Sequence, residues 1–237
     1  MSEIQKNVLG EDLEECSKNP LTGWFRDGCC NTDENDHGLH TVCVKVNDEF
    51  LQWCKEAEDA IKTILEWMGE DPNREGLLET PKRVIKAFKE YFKGYSQDPN
   101  LVLEKTFGDV EGYSDMVVQK NISIQSHCEH HMAPIIGKAH VAYIPNQRVV
   151  GLSKIARVVE IFSKRLQTQE RLTVQIAKTL MESLDAKGVA LTIDSTHHCM
   201  TMRGIKKEQA TTVTNFYLGQ FKDDLSYQNR YLRFIAK

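Results

Sequence analysis

From about residue 56 onward, apolar residues recur along the chain with a regular period. The first such segment places its apolar residues three and four positions apart: Ala57, Ala60, Ile61, Ile64, Leu65 and Met68. This spacing predicts an amphipathic helix. A polar loop follows, and Thr80 with Pro81 behind it is typical of an N-cap and a first helical position. We therefore predict a second helix from Thr80 to about Tyr95.

Two pairs of strands are predicted on either side of two further helices. The stretches VVQKNISIQSHC and IIGKAHVAYI alternate as strands do, and strands return in GVALTIDSTHHCM and TTVTNFYLGQF. Between the pairs, Ser153 can cap a helix whose apolar face includes Ile155 and Phe162. Another amphipathic helix runs from about Glu170 to Leu184. The order ββααββ predicts an α+β fold, with an antiparallel sheet covered by helices on one face.

The first 54 residues differ from the rest and predict a separate segment. Most of the seven cysteines lie here, in a stretch rich in Gly, Asn and Asp without a helical period. We therefore divide the chain into a Cys-rich segment, 1–54, and a domain, 55–237. A second metal site could form in this segment from Cys29, Cys30, His37, His40 and Cys43. Their spacing matches no recognisable ligand pattern, and the alternative is an appendage too short to bury a core.

The overall composition excludes several function classes. The 237 residues carry a net charge of −4, so no global field attracts nucleic acid or an anionic membrane. No run approaches the roughly 18 apolar residues of a membrane span, and the N-terminus has no apolar signal-peptide core. We therefore expect a cytoplasmic protein with reduced cysteines, which favours metal or catalytic roles over disulfides.

Metal-ligand side chains are concentrated in two short segments. SHCEHHM contains Cys128 and three histidines, and THHCM contains Cys199 and two more. A set of two cysteines and one histidine is typical of zinc, and it leaves a fourth position for a water that ionises near neutral pH. The neighbouring histidines could serve as general acids and bases: His127, His130, His197 and His198. The alternatives are residues that merely pack or face solvent, and a structural zinc with four protein ligands.

Cationic side chains predict a pocket for an anionic ligand. Ser153 and Lys154 lie at a helix start with Arg157 one turn later, so hydroxyl, cations and backbone N–H groups face one way. Further candidates are Arg83, Lys86 and Arg203. The alternative for each is a solvated surface charge. Gln169 and Glu170 are first of all a helix start, although an amide beside a carboxylate could also bind the donor edge of guanine.

Several long motifs resemble the GTP cyclohydrolase I family. They are SHCEHHM, GKAHVAYIP, VVGLSKIARVVEIFSKRLQTQERLT, GVALTIDSTHHCMTMRGI and the tail LGQF, in order within residues 56–237. The resemblance implies three zinc ligands: Cys128, His131 and Cys199. It implies an acid–base pair, His130 and His197, and two guanine contacts, Gln169 and Glu170. It also implies a triphosphate-binding set: Ser153, Lys154, Arg157, Arg203, Arg83 and Lys86.

The resemblance also implies a fold, an assembly and a reaction. The family has the tunnelling fold, in which ββααββ subunits join their sheets into a toroidal decamer with active sites between subunits. Its reaction is the zinc-dependent hydrolysis of GTP to 7,8-dihydroneopterin triphosphate and formate, the first step of tetrahydrofolate and pterin biosynthesis. The purine opens at C8, formate is released, and the ribose rearranges and closes a new ring. We therefore expect GTP as substrate and zinc as cofactor, with neither nucleic acid nor membrane as partner.

Residues 1–54 resemble instead the front half of a small uncharacterised bacterial protein family, which indicates a fusion or a remnant. Two alternatives to a GTP cyclohydrolase stay open. One is another tunnelling-fold enzyme that acts on a purine- or pterin-like substrate, such as a nitrile reductase, which needs a nucleophilic cysteine without a metal. The other is a non-catalytic zinc-binding assembly protein, which has no need of the acid–base and anion-binding sets.

Overall fold

The computed structural model describes residues 48–108 and 112–236, which belong to two compact units. The first unit ends at Ser96, and the second begins at Gln97. The N-terminal candidate metal residues, from Cys29 to Cys43, lie outside the described residues. In the part of the chain that is described, none of the helices combines the length and apolar content needed to cross a membrane.

Two amphipathic helices form most of the described part of the first unit. Helix α1, Asp48–Trp67, contains most of the apolar positions identified by their spacing and packs against helix α2, Thr80–Tyr91. Leu65 of α1 and Ile85 of α2 are buried. The predicted domain boundary at residue 55 falls within α1, because the helix begins seven residues earlier, at Asp48.

Both ends of α2 differ from the prediction. Helix α2 begins at Thr80, so Glu79 (φ −92°, ψ −3°) is the N-cap and Thr80, predicted as the cap, is the first helical residue. At the other end, α2 stops at Tyr91 rather than near Tyr95. The chain there tightens into a short 3₁₀ helix, Lys93–Ser96, and another one, Glu75–Leu77, precedes α2.

Within its described residues, the second unit is built on a five-stranded sheet. In chain order its elements are α3 (Pro99–Leu103), β1 (Thr106–Phe107), β2 (Val117–Cys128), β3 (Pro134–Ile144), β4 (Val149–Val150), α4 (Leu152–Ser163), β5 (Leu166–Gln167), α5 (Gln169–Ser183), β6 (Gly188–His197), α6 (His198–Thr201), β7 (Thr212–Gly219), α7 (Gln220–Asp223) and α8 (Leu225–Ile235). The long strands and the two helices between them confirm the predicted ββααββ order and the α+β class.

The sheet has the strand order β5-β2-β3-β6-β7. The four long strands pair antiparallel, with Ser126 of β2 opposite Ile135 of β3 and Ile135 opposite His197 of β6. Strand β5 pairs parallel to β2, with Cys128 opposite Gln167. The predicted sheet was wholly antiparallel, and β5 was missed because two residues are too few to show an alternating pattern. β1 and β4 form a separate antiparallel pair.

Helices cover both faces of the sheet, not only one as predicted. On one face, α4 packs against β2, and α5 packs against β6 and β7. On the other face, α8 brings Tyr231 against Ala142 and Ala190 in a buried cluster. Tyr227, Tyr231 and Ile235 of α8 are four residues apart, and this helical spacing would have predicted the missed helix.

The two central helices begin differently from each other. Gly151, with extended backbone, is the N-cap of α4, so Ser153 lies inside the first turn rather than at the cap as predicted. At the start of α5, the hydroxyl of Thr168 accepts a hydrogen bond from the backbone N–H of Arg171. This cap makes Gln169 the first helical residue and fixes its place against the sheet.

Candidate active site and metal centre

A tight turn after β2 holds the first metal-ligand segment. The backbone N–H of Cys128 donates to the carbonyl of Ala133 (2.8 Å), and the N–H of Met132 donates to the carbonyl of Cys128 (2.8 Å). Met132 has φ of 52°, in the left-handed region, which lets the chain reverse direction here. The turn brings Nδ1 of His131 within 3.9 Å of Sγ of Cys128.

Cys199 reaches the same place from the end of β6. Strands β3 and β6 are neighbours, so the turn before β3 lies beside the residues that follow His197. The predicted strand ran on to Met200, but β6 stops at His197, and the short helix α6 carries Cys199 instead. The ligand atoms of Cys128, His131 and Cys199 all lie within 4.8 Å of one another.

The three ligand residues suit a borderline-soft divalent cation. Tetrahedral coordination at the usual metal–sulfur and metal–nitrogen bond lengths needs ligand atoms roughly 3.3–3.8 Å apart. The three ligand atoms would therefore have to move about 1 Å closer together to bind one ion. Burial raises the pKa of the Cys199 thiol, and the nearby Cys128 raises it further, while Arg203 acts in the opposite direction. Two adjacent thiolates repel each other, and a bound cation would remove that cost.

Two cationic side chains lie beside the ligand segment. Nη1 of Arg203 is 2.9 Å from Nε2 of His131. Nη1 of Arg171 is 3.3 Å from the carboxylate of Glu129, the residue that follows Cys128. Arg203 therefore lies in contact with one of the three residues of the candidate metal site.

The two candidate acid–base histidines have different environments. Nδ1 of His130 is 3.7 Å from Sγ of Cys128, and the ring is largely exposed. His197 is half-buried, and its Nε2 is 2.7 Å from Oε1 of Gln169. Burial lowers the pKa of His197, with the carboxylate of Glu170 opposing the shift. The neutral ring, which can accept a proton, is therefore favoured at His197.

The other two histidines of the motifs lie elsewhere. His127 alternates with Ser126 and Cys128 along β2, so its side chain points to the opposite face of the sheet. Burial lowers the pKa of His127, and Lys164 lowers it further. Nδ1 of His198, the first residue of α6, is 3.3 Å from Sδ of Met202, the residue that caps the end of this helix. Neither histidine is brought into the ligand set.

The predicted triphosphate residues are spread over several elements. Ser153, Lys154 and Arg157 lie on the first two turns of α4. Arg83 and Lys86 are exposed on α2, which belongs to the first unit. Neither unit by itself therefore contains the whole predicted set.

Sequence comparison decides the family. The profile of the family described as GTP cyclohydrolase I matches residues 57–236. The chain belongs to the GTP cyclohydrolase I family. This membership confirms that the chain is an enzyme and confirms the first predicted resemblance.

Curated GTP cyclohydrolase I relatives agree with this assignment. The protein named GTP cyclohydrolase 1 in Pelagibacter ubique is 80% identical over 183 residues, which cover 77% of this chain and 91% of that protein. The corresponding protein of Maricaulis maris is 54% identical over 183 residues, with coverage of 77% and 89%. That of Brucella canis is 58% identical over 180 residues, with coverage of 76% and 84%.

A second profile confirms the resemblance to an uncharacterised bacterial family but not its predicted bounds, residues 1–54. The family described as "Uncharacterized protein conserved in bacteria" matches residues 6–106. This match continues well past residue 54, and it overlaps the GTP cyclohydrolase I match over residues 57–106. The helices of the first unit therefore lie in a stretch that both profiles cover.

Two side chains that contact the Gln169 amide, Ser195 and Thr214, were not predicted from the sequence. The hydroxyl of Ser195 on β6 donates to Oε1 of Gln169 (2.7 Å), and Thr214 of β7 lies 3.2 Å from Nε2 of the same amide. Ser195 and His197 are two residues apart on one strand, so they share a face of the sheet. That alternation is the signal that could have linked Ser195 to the predicted acid–base residue.

Proposed function

We propose that the chain catalyses the zinc-dependent hydrolysis of GTP to 7,8-dihydroneopterin triphosphate and formate. The observation that carries this proposal is the convergence of Cys128, His131 and Cys199, with ligand atoms within 4.8 Å of one another. Zinc bound by these three side chains would keep one coordination position for water and supply the nucleophile for attack at C8 of the purine. Family membership supports GTP as the substrate.

In this proposal His130 and His197 carry the protons. His197, with a lowered pKa, accepts and returns a proton at the purine ring as the five-membered ring opens. His130, exposed beside Cys128, exchanges protons between the reacting atoms and solvent. The later rearrangement of the ribose and closure of the new ring also need proton transfer, and the same two imidazoles would supply it.

Charged residues would position the two ends of GTP. Glu170 is exposed in the first turn of α5, where its carboxylate can accept hydrogen bonds from the N–H groups of guanine. Ser153, Lys154 and Arg157 on α4, together with Arg203 beside His131, would bind the triphosphate through charge-assisted hydrogen bonds. The resemblance alone supports two further candidates on α2, Arg83 and Lys86.

We extend the proposal to a toroidal decamer with active sites between subunits. Strand β7 is an edge of the described sheet, so its outer backbone groups can continue the sheet into another subunit. Analytical ultracentrifugation would measure the subunit number, and a monomer under assay conditions would contradict this part. A cytoplasmic location stays a prediction.

The test of the reaction is direct. Purified protein loaded with zinc is incubated with GTP, formate is measured, and the pterin product is detected by fluorescence after oxidation. We expect formate and pterin in equal amounts. Absence of both products from zinc-loaded, assembled protein would overturn the proposal, whereas formate without pterin would restrict it to the ring-opening step.

A further inference from the structure

The side-chain amide of Gln169 is buried and held in one orientation. The residue is 1% exposed. Its Nε2 donates to the carbonyl of Ile193 (3.0 Å) and to the carbonyl of Thr212 (2.8 Å), and Thr214 Oγ1 lies 3.2 Å away. Backbone carbonyls can only accept hydrogen bonds, so the nitrogen end of the amide must face them. The oxygen end must then face the opposite way.

The oxygen end of this amide determines where His197 carries its proton. Oε1 of Gln169 lies 2.7 Å from Oγ of Ser195 and 2.7 Å from Nε2 of His197. An amide oxygen only accepts, so both neighbours must donate to it. Nε2 of His197 therefore carries a hydrogen, and in the neutral ring Nδ1 has the free lone pair.

These contacts leave Gln169 nothing with which to bind a substrate base. The two amide hydrogens face three acceptors, and both acceptor positions of the oxygen are used. A guanine contact would require breaking one of these buried bonds and leaving a buried polar group without its partner. We propose that Gln169 is a positioning residue, which fixes the proton of His197 on Nε2 and leaves Nδ1 to exchange protons with the substrate. The proposal rests on the acid–base role proposed above for His197.

Neighbouring groups hold the Gln169 amide rigidly. The hydroxyl of Thr173, one helical turn later, donates to the backbone carbonyl of Gln169 (2.7 Å) and lies 2.7 Å from Oγ1 of Thr214. The bond between the two threonines joins α5 to β7, while the bond from Ser195 joins α5 to β6. Groups from α5, β6 and β7 therefore hold the Gln169 amide in place, and this amide orients the imidazole of His197. Support of this kind is what a fixed tautomer and ring position require.

Steady-state kinetics can separate positioning from guanine binding. Gln169→Met keeps the length of the side chain and removes its hydrogen bonds; Gln169→Glu keeps the acceptor toward His197. We expect Gln169→Met to lower kcat at least about tenfold, as disturbed acid–base catalysis does, with KM for GTP changed less than about threefold. Gln169→Glu should recover part of kcat. Gln175→Met, on the same helix and bonded to Gln167, is the matched control and should keep both constants.

A spectroscopic measurement tests the tautomer without turnover. Solid-state ¹⁵N NMR of zinc-loaded, histidine-labelled protein reports which ring nitrogen is protonated, and the His197 signals are those absent from His197→Asn. We expect hydrogen on Nε2 in the wild type and a mixture of tautomers in Gln169→Met. Hydrogen on Nδ1 in the neutral wild-type ring would overturn the proposal even if Gln169→Met fails to fold. A rise of tenfold or more in KM with unchanged kcat would overturn it too, while an inactive wild type with the expected tautomer would instead refute the proposed function.

Discussion

The candidate metal site depends on two thiols that come from different elements, strand β2 and helix α6. Cys128→Ser or Cys199→Ser leaves one thiolate and one imidazole, too few protein ligands for a tight zinc site. We expect each variant to lose bound zinc and ring opening together, as measured by metal analysis after gel filtration and by formate release. Cys54→Ser, which changes a half-buried cysteine of α1, should keep both. Stoichiometric zinc in Cys128→Ser and Cys199→Ser would contradict the assignment.

The two candidate acid–base histidines can be separated from metal binding. His130→Ala and His197→Ala leave all three ligand residues in place, so we expect both variants to keep zinc and to bind GTP. Loss of a general acid–base group typically lowers the rate about 10²-fold or more, and we expect kcat to fall by this amount. His140→Ala changes a histidine whose neighbours are Asn121 and Tyr231 and should keep kcat. Wild-type turnover in both site variants would refute the assignment.

The candidate ligands could be identified from the sequence, whereas their supporting contacts could not. Cysteine and histidine are uncommon enough that two clusters at strand ends indicate a site, as with Cys128 and Cys199. The environment of Gln169 has no such signal, because its partners come from β6 and β7 and are ordinary serine, threonine and backbone groups. The alternation along β6 places Ser195 and His197 on one face, but only the packing of α5 on the sheet shows that they converge on the Gln169 amide.

At the scale of elements, strands β3 and β6 approach closely at Gly137. A Cβ there would overlap the carbonyl oxygen of Asp194 and would lie 2.6 Å from Cα of Ser195. Backbone atoms in the middle of a sheet cannot move away cheaply, so Gly137→Ala should lower the free energy of unfolding by about 1–3 kcal/mol. Denaturant unfolding of the variant would measure this change.

The Gly137→Ala substitution should also lower catalytic activity. A shift of Ser195 weakens its bond to Gln169 and disturbs His197, so kcat of Gly137→Ala should fall even under conditions where the protein is folded. Gly108→Ala is the control, because nothing lies within 4 Å of a Cβ at that position. An unfolding midpoint of Gly137→Ala equal to that of wild type would show that the sheet adjusts without cost.

Element length explains which parts of the fold could be predicted. The bounds predicted for β2 match the structure, and β3 begins one residue earlier than predicted, because ten or more alternating residues give a clear period. Strand β5 and helix α6 are two and four residues long, too short for any period. Their positions depend on pairing with β2 and on the turn after β6, which are tertiary effects.

At the scale of the whole molecule, the net charge of −4 opposes a triphosphate substrate. Local cations must overcome this repulsion, so Lys154→Ala and Arg203→Ala should weaken GTP binding far more than guanosine binding. The expected loss is about 1.5–3 kcal/mol per charge-assisted hydrogen bond, roughly ten- to a hundredfold in affinity. Isothermal titration calorimetry with both ligands measures it, and Lys178→Ala on α5 is the charge-matched control. Equal losses for GTP and guanosine would place the triphosphate elsewhere.

Removal of the first 54 residues would test the proposed division of the chain. Each candidate ligand, acid–base and phosphate residue of the GTP cyclohydrolase I resemblance lies beyond residue 80. Helix α1 begins at Asp48, so a truncation at residue 55 would remove its first two turns, and a start at Asp48 keeps the helix whole. We expect the chain that begins at Asp48 to assemble and to release formate from GTP at a rate within about threefold of the full chain. The chain that begins at Lys55 should be less stable, because it lacks the first part of α1, which packs on α2. Sedimentation, thermal unfolding and formate release would be compared for the three chains. An inactive or unassembled Asp48 chain would make the Cys-rich segment an integral part of the enzyme.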